Sequence, residues 1–279
     1  MSTSMRDFAF TVDLDRDANE PLRGEVCSIS RDRGQGCQAR HLSSAEGLSL
    51  LVELLDELGV KATFFAESWT LSKIDGVGSL LHGHEVASHG VHHEDLTAKD
   101  SGVSLDDEQL HSILRRSRDE IEDIIGCRPL GFRAPYMHID ERVTDHLAAL
   151  GFRYDSSYTC PMEDGVINAF RLPCGLCEFP VASALDSKGK KIVSYFWPLH
   201  EGKRPVEDYL HLIDSLEEGI LVTATHTWHV AESIVSGRLS KEATDGNILA
   251  LRRILEHAQD RGMRCGTLAS RLDAVSEDR

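Results

Sequence analysis

Four side chains in this chain stand at spacings that suit hydrolysis at a metal ion. His89 and His93 lie four residues apart in Ser88-His89-Gly90-Val91-His92-His93-Glu94, so two imidazoles can converge on one cation from a single turn of backbone. Far upstream, Asp13 and Asp15 close the apolar run Phe8-Ala9-Phe10-Thr11-Val12. Residues two apart on an extended strand point to the same face, so both carboxylates can enter one pocket while Leu14 packs outward. One can ligate an ion and the other can take a proton, with an open position left for water. The opposing reading is chance, because 14 histidines in 279 residues will produce such a spacing without any site behind it. Two histidines alone do not decide between these; the rest of the chain does.

Further short motifs follow in order: Gly83-His84-Glu85-Val86-Ala87-Ser88-His89, Phe132-Arg133-Ala134-Pro135-Tyr136, Tyr154-Asp155-Ser156-Ser157 and Leu221-Val222-Thr223-Ala224-Thr225-His226. With them the chain resembles the polysaccharide deacetylase superfamily, carbohydrate esterase family 4, from about Phe8 to Leu272. It looks closest to an intracellular branch of peptidoglycan-deacetylase-like, deformylase-like and allantoinase-like proteins. Each motif alone is weak; their shared order carries the resemblance.

The composition is compatible with one catalytic domain over residues 1–279, since 41% hydrophobic residues suffice to fill an α/β core. A formal net charge of −16 disfavours a polyanionic partner, because binding phosphate backbones depends on Lys and Arg displacing counterions. Nucleic acid is therefore not an expected substrate. No segment approaches the ~20 apolar residues of a membrane span, and the start Met1-Ser2-Thr3-Ser4-Met5-Arg6 lacks the apolar stretch of a secretion signal. A soluble, cytoplasmic protein is expected. Seven cysteines, an odd number, are expected to stay reduced. Cys174 and Cys177 have metal-ligand spacing but no second pair, and are read as thiols in a loop.

Short apolar runs alternate with segments of helical period, which predicts parallel strands joined by crossover helices. Expected strands are 8–12, 61–65, 86–88, 131–133, 152–154, 178–181, 220–225 and 263–267. Expected helices are 44–58, capped by Ser44 and ended by Gly59; 104–125, ended by Gly126; 140–150; 205–217; and 246–261. Periodicity cannot choose between a closed barrel and an open doubly wound sheet. The resemblance implies a distorted (β/α)7-type barrel with its site at the C-terminal strand ends, as in barrels generally. Residues 16–41 and 159–177 are polar and lack a steady period, so they read as loops beside the site.

Carried over motif by motif, the resemblance makes Asp13 the general base and Asp15, His89 and His93 the ligands of a divalent ion, zinc first, with Co²⁺, Mn²⁺ or Ni²⁺ as substitutes. Family members often have the two acidic residues adjacent, whereas here Leu14 separates them. His226, ending an apolar strand, becomes the general acid for the leaving nitrogen. Arg133 suits a partner of Asp13, because a fixed guanidinium can hold a carboxylate bidentately and keep it ionised. The backbone N–H of Tyr136 is implied as an oxyanion donor. The family also pairs its acid histidine with a carboxylate; Asp186 and Asp155 are the two candidates. Trp228 offers an aromatic face to a sugar ring or a planar imide, or is plain packing. His84 is read as fixing a turn and His92 as pointing away.

The expected function is metal-dependent removal of an N-acyl group, acetyl or formyl, from a sugar or another small soluble substrate. The alternatives are ring opening of a cyclic amide, as in allantoinase-like relatives, and, from another class, non-catalytic carbohydrate binding on the same fold. The resemblance also implies a homo-oligomer, dimer or tetramer.

Overall fold

The structure, a computed structural model, describes residues 5–275. The apolar run that opens the chain forms the strand Arg6–Leu14, buried along nearly its whole length. Burial on both faces of a strand is what parallel sheets covered by helices require, and this strand sits between two parallel neighbours, Thr63–Ala66 and Glu218–His226. The parallel row continues from Thr63–Ala66 through Glu85–Ser88, Gly131–Phe132 and Tyr154–Asp155 to Cys177–Glu178. On its other side Glu218–His226 pairs with Val181–Leu185. The two ends of the row are thus one stretch of chain, parted only by Phe179 and Pro180. That stretch pairs with Tyr154–Asp155 before the proline and with Glu218–His226 after it, so the row curls round as a distorted barrel of seven strand positions. Proline cannot donate to a ladder, which is why the break falls there.

Helices cover the outside. Leu42–Glu57 buries Leu48, Leu51, Val52 and Leu55 and Lys241–Asp260 buries Leu251, Ile254 and Leu255. Asp107–Ile125 buries Leu110, Leu114 and Ile121, opened by a capping box between Asp106 and Gln109 and closed by Gly126 at φ 78°. Glu141–Ala149 is capped by Asp140, and Val206–Asp214 follows Pro205. Three helix starts differ from expectation. Ser44 lies inside its helix, where its backbone N–H donates to Asp17 Oδ1 at 2.9 Å, so a distant carboxylate replaces the local cap. Asp106, not Ser104, caps the second helix, and the last begins at Lys241 behind Ser240, carrying Gly246 in its interior.

The segment 16–41 is pinned rather than open, with a small hairpin between Asn19–Glu20 and Ile29–Ser30. A hairpin from Val181–Leu185 to Lys191–Val193 leads into Ser194-Tyr195-Phe196-Trp197. Among the described residues, no helix is long and apolar enough to cross a membrane.

Candidate active site

Parallel strands present all their C-terminal ends at one rim, and the chemistry-bearing residues stand there. Asp13 closes the Arg6–Leu14 strand in register with His226. His89 and Arg133 directly follow Ser88 and Phe132, which pair with each other. Asp13, Asp15, His89, His93, Tyr136, Tyr195, Trp197, His226 and Trp228 line one pocket of about 150 Å³. Pockets that engulf a drug-sized ligand run to ~300–1,000 Å³. This one has room for a reacting group and its immediate substituents.

Arg133 organises the floor. It is fully buried, and its Nη1 donates to Asp13 Oδ1 at 2.9 Å and to Thr11 Oγ1 at 2.8 Å. Nε donates to the Ser156 carbonyl and Nη2 to Ser156 Oγ. The grip on Asp13 is therefore a single hydrogen bond, not the bidentate clamp expected, because the other edge of the guanidinium is spent on Ser156. Burial pushes the Asp13 carboxyl up, but the Arg133 cation, with His89 and His226 further round, outweighs it and holds Asp13 below the usual carboxylate range. Asp13 is thus an ionised, buried base.

The histidine pair is shaped by its turn. Gly90 takes φ 82°, and a Cβ there would fall 2.7 Å from Glu94 Oε2. Glu94 needs that space because its carboxylate accepts the backbone N–H groups of Val91 and His92. His93 itself adopts φ 53°, a strained conformation for a non-glycine residue. The outcome is two imidazoles with ring centroids 4.9 Å apart. His89 Nδ1–H donates to the Arg133 carbonyl at 2.7 Å, and His93 Nδ1–H to Ser28 Oγ at 2.8 Å, while that hydroxyl donates to the His93 carbonyl. Both Nε2 lone pairs are left for a ligand bond. Burial lowers the basicity of both rings, His93 far more strongly with His89 beside it, so they are neutral as metal ligands must be.

Asp15 completes the donor set. Its Oδ2 accepts from Asn19 Nδ2 at 2.8 Å, and its Oδ1 is buried with no partner. Burial, then the charges of Glu67 and Asp13, push the Asp15 carboxyl far above its ordinary range, a penalty that a bound cation would reverse. Asp15 Oδ2 lies 3.6 Å from His93 Nε2. Two ligands at ~2.1 Å from a tetrahedral ion are about 3.4 Å apart, so this edge has ligand spacing. No three His, Cys, Asp or Glu side chains among the described residues form a ready-made cage. The residues fit a divalent ion by donor type, by the orphaned oxygen and by one edge, with the third corner left to close.

The remaining expected residues are distributed differently. His226 points into the pocket, but neither candidate carboxylate touches it. Asp186 caps the turn of the 181–193 hairpin, accepting the N–H groups of Lys188 and Lys190, and its Oδ2 takes Arg204 Nη1 at 2.8 Å. Arg204 and these N–H groups hold its carboxyl at about 2. Asp155 bonds Ser157 and shares a buried environment with Glu178, its partner in register. What His226 meets is a phenol: Tyr195 Oη stands 2.6 Å from His226 Nε2 and 3.2 Å from Asp13 Oδ2. Burial drives the His226 imidazole down to about 3.

Tyr136 has φ 58°, its ring against His93 and its hydroxyl bonded to Ser28. Trp228 is 1% exposed, stacked on His229 at 4.3 Å. That face cannot stack on a sugar; its buried Nε1–H, without a partner, is what it has to offer. Trp197, partly exposed in the same wall, is the accessible indole. His84 Nδ1 accepts the Ala62 N–H, and His92 faces Trp69. Cys174 and Cys177 are free, and burial lifts the Cys177 thiol to about 11, which leaves it inert.

Residues 32–154 match the family model for polysaccharide deacetylase. Over this stretch, somewhat under half of its length, the chain is similar to polysaccharide deacetylases. The matched stretch includes His89, His93, Arg133 and Tyr136, while Asp13, Asp15 and His226 lie outside it. Among curated proteins, the chain is 34% identical to the peptidoglycan deacetylase-like protein FGM2 of Gibberella zeae over 115 residues, 40% of this chain and 32% of that one. It is 26% identical to the peptidoglycan deacetylase of Helicobacter pylori over 152 residues, 53% and 48% of the two chains. The chain spans less than half the length of either relative. Among solved structures, PuuE allantoinase is similar in fold with TM-score 0.65 and 14% identity, covering 98% of this chain and 90% of its own. A family 4 carbohydrate esterase from Streptomyces lividans has TM-score 0.53 and 16% identity, covering 93% and 91%.

Proposed function

We propose that this protein is a metal-dependent amidohydrolase that removes a small N-acyl group, acetyl or formyl, from a sugar or another compact substrate. One observation carries the reading: an ionised, guanidinium-held carboxylate at Asp13, a carboxylate with an orphaned oxygen at Asp15, two imidazoles with free Nε2 atoms and a third imidazole converge on one pocket of about 150 Å³. Binding alone has no need of a base, an acid and a ligand set together. The family match to deacetylases supports hydrolysis of an acyl bond, and the small pocket supports a short acyl group.

Asp15, His89 and His93 would hold the ion. When bound, it polarises the substrate carbonyl and lowers the pKa of water from ~15.7 towards ~7. Asp13, kept ionised by Arg133, takes the proton of the attacking water. His226 delivers a proton to the nitrogen as the C–N bond breaks. Arg133 does double duty, since its side chain aims the base and its carbonyl fixes the tautomer of His89. Trp197 and the Trp228 N–H border the space the substrate enters.

The test is a panel of N-acetyl sugars, N-formyl sugars, hydantoins and cyclic imides offered to zinc-loaded protein, with release of acetate or formate as the readout. Release from an N-acyl sugar supports the reading. Turnover confined to the cyclic amides replaces it with ring opening.

A further inference from the structure

The base and the acid of the proposed reaction are joined by a residue that neither role requires. Among the described residues, the Asp13 carboxylate is bonded to Arg133 and Tyr195, and the His226 ring to Tyr195. Although Asp13 and His226 are neighbours in register, their side chains meet through the phenol. The backbone of Tyr195 is itself held firmly. It bridges to Ala224 on the strand that ends in His226, Phe196 donates its N–H to the Ala224 carbonyl, and Tyr209 Oη donates to the Tyr195 carbonyl at 3.2 Å. One O–H placed 2.6 Å from an imidazole nitrogen and 3.2 Å from a carboxylate oxygen can receive a proton from one side as it gives its own to the other.

We propose that Tyr195 carries the proton abstracted by Asp13 across to His226, so that base and acid work as one three-residue relay. The proposal rests on the amide-hydrolysis reading above. In the attack, an O–H bond of water breaks, its oxygen bonds the acyl carbon and its proton goes to Asp13. Asp13 then returns to carboxylate by passing a proton to Tyr195 Oη while the Tyr195 O–H passes its own to His226 Nε2. The phenol ends unchanged and never becomes a free phenolate. The cationic His226 gives up a proton to the leaving nitrogen as the C–N bond breaks, so the proton lost by water is matched by the one gained by the amine and all three residues return to their starting charges. The relay needs no proton from bulk solvent, which the partly closed pocket makes scarce.

The experiment uses Tyr195→Phe, which keeps the ring and removes the bridging O–H. Wild type and variant, both zinc-loaded, are compared on an N-acetyl sugar and on an aryl acetate, whose phenolate leaves without protonation. The relay predicts a loss of ~10²-fold or more in kcat/KM on the amide, the scale of one proton-transfer group, and a loss at least about tenfold smaller on the ester. It also predicts that the ¹⁵N resonance of His226 Nε2 moves in the variant, a readout independent of turnover. Equal losses on both substrates would mark Tyr195 as merely structural and overturn the relay while leaving the proposed function standing. So would an undiminished amide rate, or an unmoved Nε2 resonance. Wild-type protein inactive on both substrates would overturn the proposed function and the relay with it.

Discussion

Replacing Arg133 by Met should be the most damaging single change at the site, and the size of the loss follows from its bonds. The substitution strands Asp13 in a site where it is 1% exposed, with the Asp15 carboxyl nearby and its own guanidinium partner gone. Removing one partner of a buried ion pair costs ~3–5 kcal/mol. The Ser156 carbonyl also loses its Arg133 donor, ~1 kcal/mol more. Thr11 and Ser156 lose less, because their hydroxyls donate elsewhere, to the carbonyls of Thr223 and Phe179. A total of about 4–6 kcal/mol is a large share of the ~5–15 kcal/mol that a folded protein holds. The loss should depend on pH. In wild type the depressed Asp13 pKa contributes stability above the unfolded value near ~3.9 that is lost as pH falls through the folded pKa. Without Arg133, burial raises the Asp13 pKa instead, and that contribution is present at low pH and lost as pH rises. The penalty should therefore be greatest near neutrality and shrink towards pH ~4. Urea unfolding of both proteins at pH 7.5 and pH 5 measures it. A penalty below about 1 kcal/mol at pH 7.5, or one that grows at pH 5, would refute this account of Asp13.

Three further outcomes follow. Ser28→Ala should weaken zinc binding ~10- to 100-fold without touching a ligand, because Ser28 orients His93; competition with a chromophoric chelator measures it. Gly90→Ala should cost ~1–2 kcal/mol for a left-handed alanine and weaken zinc binding further, since its Cβ would press Glu94 and disturb the turn carrying both histidines; a melt and the same competition check it. Burial, then the neighbouring Asp155, raise the Glu178 carboxyl well above its ordinary range. Its stabilising contribution is full below ~4.3 and lost as pH rises through the raised value. Glu178→Gln should flatten the decline of stability on the alkaline side, and an unchanged slope from pH 6 to 9 would contradict that.

Much of the fold was legible because the barrel strands and their helices each obey one period. The apolar run ending in Asp13 could only be a buried strand, and its alternation put Asp13 and Asp15 together. The site was harder wherever its geometry comes from pairing across the chain. Tyr195 acts through a bridge to Ala224 and through neighbours 182 and 31 residues away, which no local pattern reports. The one signal was Tyr195-Phe196-Trp197, an aromatic run in a chain only 6% aromatic. Asp186 misled because a carboxylate after a strand looks like site chemistry. Asp186-Ser187-Lys188-Gly189 is equally a turn signature, with Gly189 at φ 74°, and the turn prevailed. Trp228 shows the same limit, since only the fold reveals that His229 already covers its face.

The central claim is most directly tested by following acyl release by ¹H NMR from an N-acetyl or N-formyl sugar, using wild-type and Asp13→Asn protein, each with its zinc content measured in the same sample. The account predicts about one zinc per chain in both, release of acetate or formate by wild type, and a rate ~10²- to 10⁴-fold lower in the variant. Release that continues at the wild-type rate in Asp13→Asn, or in protein stripped of metal, would contradict it.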